Sequence, residues 1–199
     1  MENPVPEQQE GSEMNAVAKR AFNNIQDSSD FYRIARQRLL DVNAWGVLSS
    51  FPSATFILCD STGTPVQRSA VEGDLIKIDI PGPGTHSGDG YDWVCIEYIG
   101  EESLNGTDQI SLRARPCANP KQHDGDTAHF FTSVATSTFQ IKRIGSEVFA
   151  EEHGRNELPN TDTDHLIDNL RNTLVGLSAK IGLSYPQWKG LVEGLVSQK

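Results

Sequence analysis

The densest run of side chains able to do chemistry is His153-Gly154-Arg155-Asn156-Glu157, an imidazole, a guanidinium, an amide and a carboxylate within five residues. Acid–base chemistry would set His153 or Glu157 near a substrate, with Arg155 holding an anion or a developing negative charge. The plainer reading is a strand-to-helix connection in which Arg155 pairs with Glu157 while Asn156 or Asn160 caps backbone groups, and it carries more weight. The Gly- and Pro-rich stretch at 81–90, which contains His86, could bring several backbone N–H groups to an anion. A phosphate-cradling loop, however, leads into a helix N-terminus, and here a strand follows from Tyr91. Residues 81–90 therefore read as a loop between strands at the rim of a binding site, with His86, Arg155 and Asn156 as candidate ligand contacts.

Other clusters are weaker. His123, Asp124, Asp126 and His129 are close in sequence, but calcium loops need more oxygens at regular spacing and zinc sites need fixed gaps on rigid elements. Neither a metal nor a cofactor is expected. Cys59, Cys95 and Cys117 are too few and too scattered for a disulfide framework and read as free thiols. Arg113 and Arg115 would lower the Cys117 pKa, but no His partner stands at a motif spacing, and no Gly-x-Ser-x-Gly elbow is present.

Charge narrows the partners. Lys and Arg number 17 against 27 Asp and Glu, a formal charge of -10, which repels phosphate backbones and disfavours nucleic acid. Around Gly182 the chain has the rhythm of a helix-turn-helix, yet its second helix carries too few cations to read DNA. The N-terminus has acids where a secretory or transit sequence has none, so the cytoplasm is the expected location. The uncharged stretch at 42–59 is broken by Pro52 and by polar residues, which argues against a membrane span.

The elements that must position these residues follow from a change of period. Residues 1–12 read as a disordered acidic tail, and 13–199 as a single α+β domain. Met14, Val17, Ala18, Ala21, Phe22 and Ile25 recur by threes and fours, which predicts helix. Short polar residues at 27–30 cap a second helix or a bent continuation, making 13–46 helical. Residues 54–152 form a β core of about seven strands: Ile76, Ile78 and Ile80 alternate with polar residues, as do Ile110, Leu112 and Ala114, and 128–134 is rich in strand formers. Gly145-Ser146 fits a two-residue hairpin turn that puts Phe139, Ile141, Val148 and Ala150 on one face and Lys142 diagonal to Glu151 on the other. Leucines at 166, 170, 174 and 177 begin a C-terminal helical pair over 162–197, whose second member carries Trp188, Leu191 and Leu195.

Segregated helices and strands predict an antiparallel sheet or small barrel with helices packed on it. The expected function is a non-catalytic module that binds a small molecule or peptide in a cavity of the β core. The two rivals are an acid–base enzyme of hydrolase or isomerase type built on 153–157, and an interaction module whose C-terminal helices dock a partner or a second copy.

Overall fold

The structure is a computed structural model that describes residues 3–49, 54–80, 88–122, 126–160 and 185–198. Its elements are strand β1 (Ser12–Ala21), helix α1 (Ile25–Leu40), a 3-10 turn (Val42–Ala44), the short helix α2 (Trp45–Leu48), strands β2 (Thr55–Cys59), β3 (Leu75–Asp79), β4 (Asp92–Leu104), β5 (Thr107–Pro116), β6 (Thr136–Ile144) and β7 (Glu147–Glu157), and helix α3 over 185–195. All seven strands join one antiparallel sheet in the order β1-β7-β6-β5-β4-β3-β2. The sheet is open, with β1 and β2 at its edges, and is not a barrel.

The expected number of strands is right, but its membership differs. Residues 14–21, predicted as helix, form β1. Small and apolar side chains there satisfy both periods: Met14, Ala16 and Ala18 face inward while Asn15, Val17 and Lys19 are exposed. Pairing along most of β7 settles the ambiguity in favour of the strand. Residues 128–134, predicted as a strand, run as a loop tied by the single bridge of Phe131 to Pro159, with the His129 ring stacked on Phe130 and the Phe131 ring tilted against both. The helical N-terminal region is thus confined to 25–48. Asn24 caps α1, its Oδ1 accepting from the Asp27 N–H at 2.8 Å.

Residues 3–11, expected as a disordered tail, lie against the sheet. The Asn156 Oδ1 accepts from the backbone N–H groups of Gln9 and Glu10, Asn156 Nδ2 donates to the Glu7 carbonyl, and Arg113 donates to the Pro4 carbonyl. A polar segment without a core of its own is held here by hydrogen bonds that long-range structure supplies. The first member of the expected C-terminal helical pair falls within 161–184 and lies outside the described residues.

The β6–β7 hairpin matches its predicted register. Ile144 pairs with Glu147 around Gly145-Ser146; Phe139, Ile141, Val148 and Ala150 are buried together, and Lys142 reaches Glu151 at 2.7 Å.

One contact shows how strongly the sheet bends. Phe56 on β2 and Phe139 on β6 are four strand spacings apart, about 19 Å in a flat sheet, yet the Trp188 ring lies 6.0 Å from the first and 5.1 Å from the second. The Trp45 ring bridges the same pair at 5.6 and 4.9 Å. Helix α1 covers β6 and β7, anchored by the Ser28 hydroxyl donating to the Gly145 carbonyl. Helix α3 spans the mouth of the curve. Its Lys189 donates to the Val17 carbonyl on one edge strand while Trp188 packs on Phe56 of the other, and Arg38 of α1 donates to the carbonyls of Leu195 and Ser197 at its C-terminal end.

Candidate functional site

Curvature leaves a cavity of about 70 Å3 between the sheet and helices α2 and α3. Its floor draws one or two apolar side chains from each of five adjacent strands: Phe56, Ile76 and Ile78, Val94, Ala114, and Phe139. The alternation of β3 and β5 read from the sequence is what turns these residues to one face. Trp45 and Trp188 roof it, and Ile80, Phe130 and Phe131 stand at one side. Polar groups enter the lining from His129, Thr136, Ser137 and Glu157, and from Gln187 on α3. The His129 Nδ1 accepts from the Phe131 N–H at 2.9 Å.

Glu157 reaches the cavity because of a bulge. Ser12 pairs with Glu157 and Met14 with Gly154, so β7 spends three steps where β1 spends two. The extra residue reverses which face the side chain takes, and the change is made at Asn156, whose φ is +56°. Ser12 Oγ donates to Glu157 Oε2 at 3.2 Å. Glycines at 11 and 154 make room: a Cβ at Gly11 would come within 2.8 Å of the Glu157 carbonyl oxygen, and one at Gly154 within 2.5 Å of Glu157 Oε1. Burial pushes the Glu157 carboxyl above its ordinary range, against the opposing pull of Ser12 and Arg155.

A second acid lies beside it. Glu152 is on the same face of β7 and is fully buried. Neither of its oxygens has a settled hydrogen-bond partner among the described residues, and the Ser137 hydroxyl beside it pulls toward the charged form. Burial first, and the neighbouring Glu157 charge second, raise its pKa well above the usual carboxyl range, so the protonated form is the stable one. Sequence reading missed this residue, although a signal existed. Val148 and Ala150 were assigned inward, and the next inward position on an alternating strand is 152.

The structure separates the residues predicted to act together. His153 and Arg155 lie on the outer face: His153 Nδ1 and Arg155 Nη2 both reach Asn15 Oδ1, at 2.7 and 2.8 Å, and His153 Nε2 is 2.9 Å from Glu151 Oε2. Arg155 also donates to the carbonyls of Met14 and Gly154. Glu157 points the other way, into the cavity, so the acid–base grouping of all three is not assembled. The run is also not a strand-to-helix connection, since it belongs to β7 itself. Asn156 is engaged by residues 7–10, and His86 lies outside the described residues. Arg113 and Arg115 clamp Glu97 on the outer face, and the Cys117 thiol, buried and beside Cys95, is pushed up to about 12, opposite to what a nucleophile needs. Among the described residues no group of three His, Cys, Asp or Glu side chains is placed to hold a metal, and no helix is long and apolar enough to cross a membrane.

The architecture is thus an α+β one, an open antiparallel sheet curved around an apolar cavity and spanned by a helix. No protein-family model and no curated protein matches the chain. Among solved structures it is similar to a hypothetical protein from Helicobacter pylori (9% identity, TM-score 0.43, covering 90% of this chain and 86% of that one). It is also similar to the major latex-like protein 151 from Panax ginseng (10% identity, TM-score 0.37, 88% and 99% covered) and to the Aha1 dimer from Colwellia psychrerythraea (9% identity, TM-score 0.29, 87% and 96% covered). Identities and scores this low transfer no function.

Proposed function

We propose that this protein is a non-catalytic binder of a small, mostly apolar molecule held between the curved sheet and α3. The observation that carries the reading is the cavity itself: apolar side chains from five strands and two tryptophans enclose it, with few polar groups among them. That is the arrangement by which pockets take up hydrophobic ligands and orient them. A free space of about 70 Å3 suits a short chain or small group, with room for a few waters, rather than a peptide. Nothing in the geometry favours the acid–base alternative, whose three residues are divided between the two faces of β7.

Trp45 and Trp188 report on occupancy. Titration with a panel of short-chain and monocyclic apolar compounds is expected to change their fluorescence and to raise the melting temperature by mass action. Ala114→Leu, which fills the floor, is expected to abolish both responses in a protein that still folds. A panel without effect on either readout, at concentrations up to the solubility of each compound, would sink the proposal.

A further inference from the structure

Glu157 is the acidic residue of the described cavity lining, and Arg155 acts on it from the outer face without entering the lining. Among the described lining residues there is no Lys or Arg, and the His129 Nδ1 is taken up by the Phe131 N–H. Arg155, the cation nearest in sequence, is turned to the outer face and engaged by the Met14 and Gly154 carbonyls and by Asn15. Glu157, only 6% exposed, is nevertheless aimed into the cavity by three separate devices: the bulge at Asn156, the missing side chain at Gly154, and the Ser12 hydroxyl that holds Oε2. No hydrogen bond to its Oε1 was found among the described residues. Behind it stands Glu152, buried and without a hydrogen-bond partner for either oxygen. Apolar replacement of such a pair would be more stable than what is present, so the stability of the fold does not account for it.

We infer that the cavity selects a cationic amphiphile, an alkyl or aryl amine whose ammonium group pairs with Glu157 while its apolar part lies against the Phe56, Phe139 and Trp188 rings. This inference rests on the cavity being the binding site. An ammonium supplies three donors to a carboxylate that no cationic side chain of the described lining contacts. A carboxylate or phosphate in the same place would set a second negative group beside Glu157 in a medium of low dielectric and is disfavoured. The net charge of -10 works in the same direction by raising the local concentration of cations near the protein.

The test compares three probes of equal length on the intact chain: n-hexylamine, n-hexanol and hexanoate, each titrated at neutral pH by tryptophan fluorescence and calorimetry. The amine is expected to bind about tenfold or more tighter than the alcohol, the worth of one charge-assisted contact, and hexanoate is expected to bind weakest. In Glu157→Gln, the amine should lose that advantage while the alcohol is little changed, with a thermal melt to confirm folding. If the alcohol equals or exceeds the amine in the unmodified protein, the charge selection is wrong and the cavity reading survives. If no probe binds, both readings fail together.

Discussion

The carboxylate of Glu157 rests over the α-carbon of Gly154, so close that a Cβ there would stand 2.5 Å from Oε1 and 3.4 Å from the Met14 Cβ. Alanine at 154 sets two effects against each other. It removes conformational freedom from the unfolded chain, a gain of roughly 0.4–1 kcal/mol, and it collides with the mobile end of a side chain, which can yield. Gly154→Ala is therefore expected to change stability by no more than about 1 kcal/mol while displacing Glu157 and weakening the amine preference. A melt together with the probe titration separates the two consequences.

Gly194 offers the contrasting case. A Cβ there would overlap the carbonyl oxygen of Leu48, a backbone atom that cannot swing aside. Gly194→Ala is expected to force α3 off α2 at a cost of about 1–3 kcal/mol or more. The near-ultraviolet circular dichroism of the tryptophans should collapse toward an unstructured signal even where the sheet persists.

Asn156 joins the bulge to the N-terminal segment. Asn156→Ala loses the side-chain bonds to residues 7, 9 and 10 and strains a backbone held at φ +56°, and is expected to cost about 2–3 kcal/mol. Asn156→Gly keeps the backbone geometry and should cost less. Hydrogen exchange at Gln9 and Glu10 should accelerate in both variants, and an unchanged exchange rate would contradict the role assigned to this side chain.

Glu152 sets a pH dependence. Its folded-state pKa is raised, so the native state holds a proton that the unfolded chain has already released; stability is therefore greatest below the unfolded pKa and falls as pH rises through the folded one. Glu157 acts in the same sense. Glu97, Asp108 and Glu151 act in the opposite sense, since hydrogen bonds and nearby cations lower their pKa values and their contribution disappears as the solution is acidified. Glu152→Met is expected to raise stability at neutral pH by about 1–3 kcal/mol and to flatten the loss on the alkaline side. Melting temperatures from acid to mildly alkaline pH would check the sign directly.

How much of this could be read from the chain depends on whether the deciding forces are local. The β6–β7 hairpin was legible to the residue because a two-residue turn fixes register and a one-sided sheet fixes facing. β1 was not, because Met14, Ala16, Ala18 and Phe22 fit a strand while Met14, Val17, Ala18 and Ala21 fit a helix, and only pairing with a strand more than a hundred residues away chooses between them. Glu157 was picked out for its company in sequence, and it does line the cavity; His153 and Arg155 do not, since alternation along β7 puts them on the other face and the bulge at Asn156 turns Glu157 inward. A bulge has no reliable signature in composition. The tryptophans that roof the cavity were visible only as members of apolar stripes, because the curvature that brings β2 and β6 to a common ring is a property of the whole sheet.

The pairing of β1 with β7 has a consequence for how the chain reaches this state. As the polypeptide emerges during synthesis, residues 12–21 await residues 147–157, because β1 pairs with no other strand among the described residues. The strand β1 must wait unpaired until β7 has been made, and its closure spans more than a hundred residues. Folding should be slow for a domain of this size, and it is in that waiting interval that the newborn chain is most exposed to wrong partners.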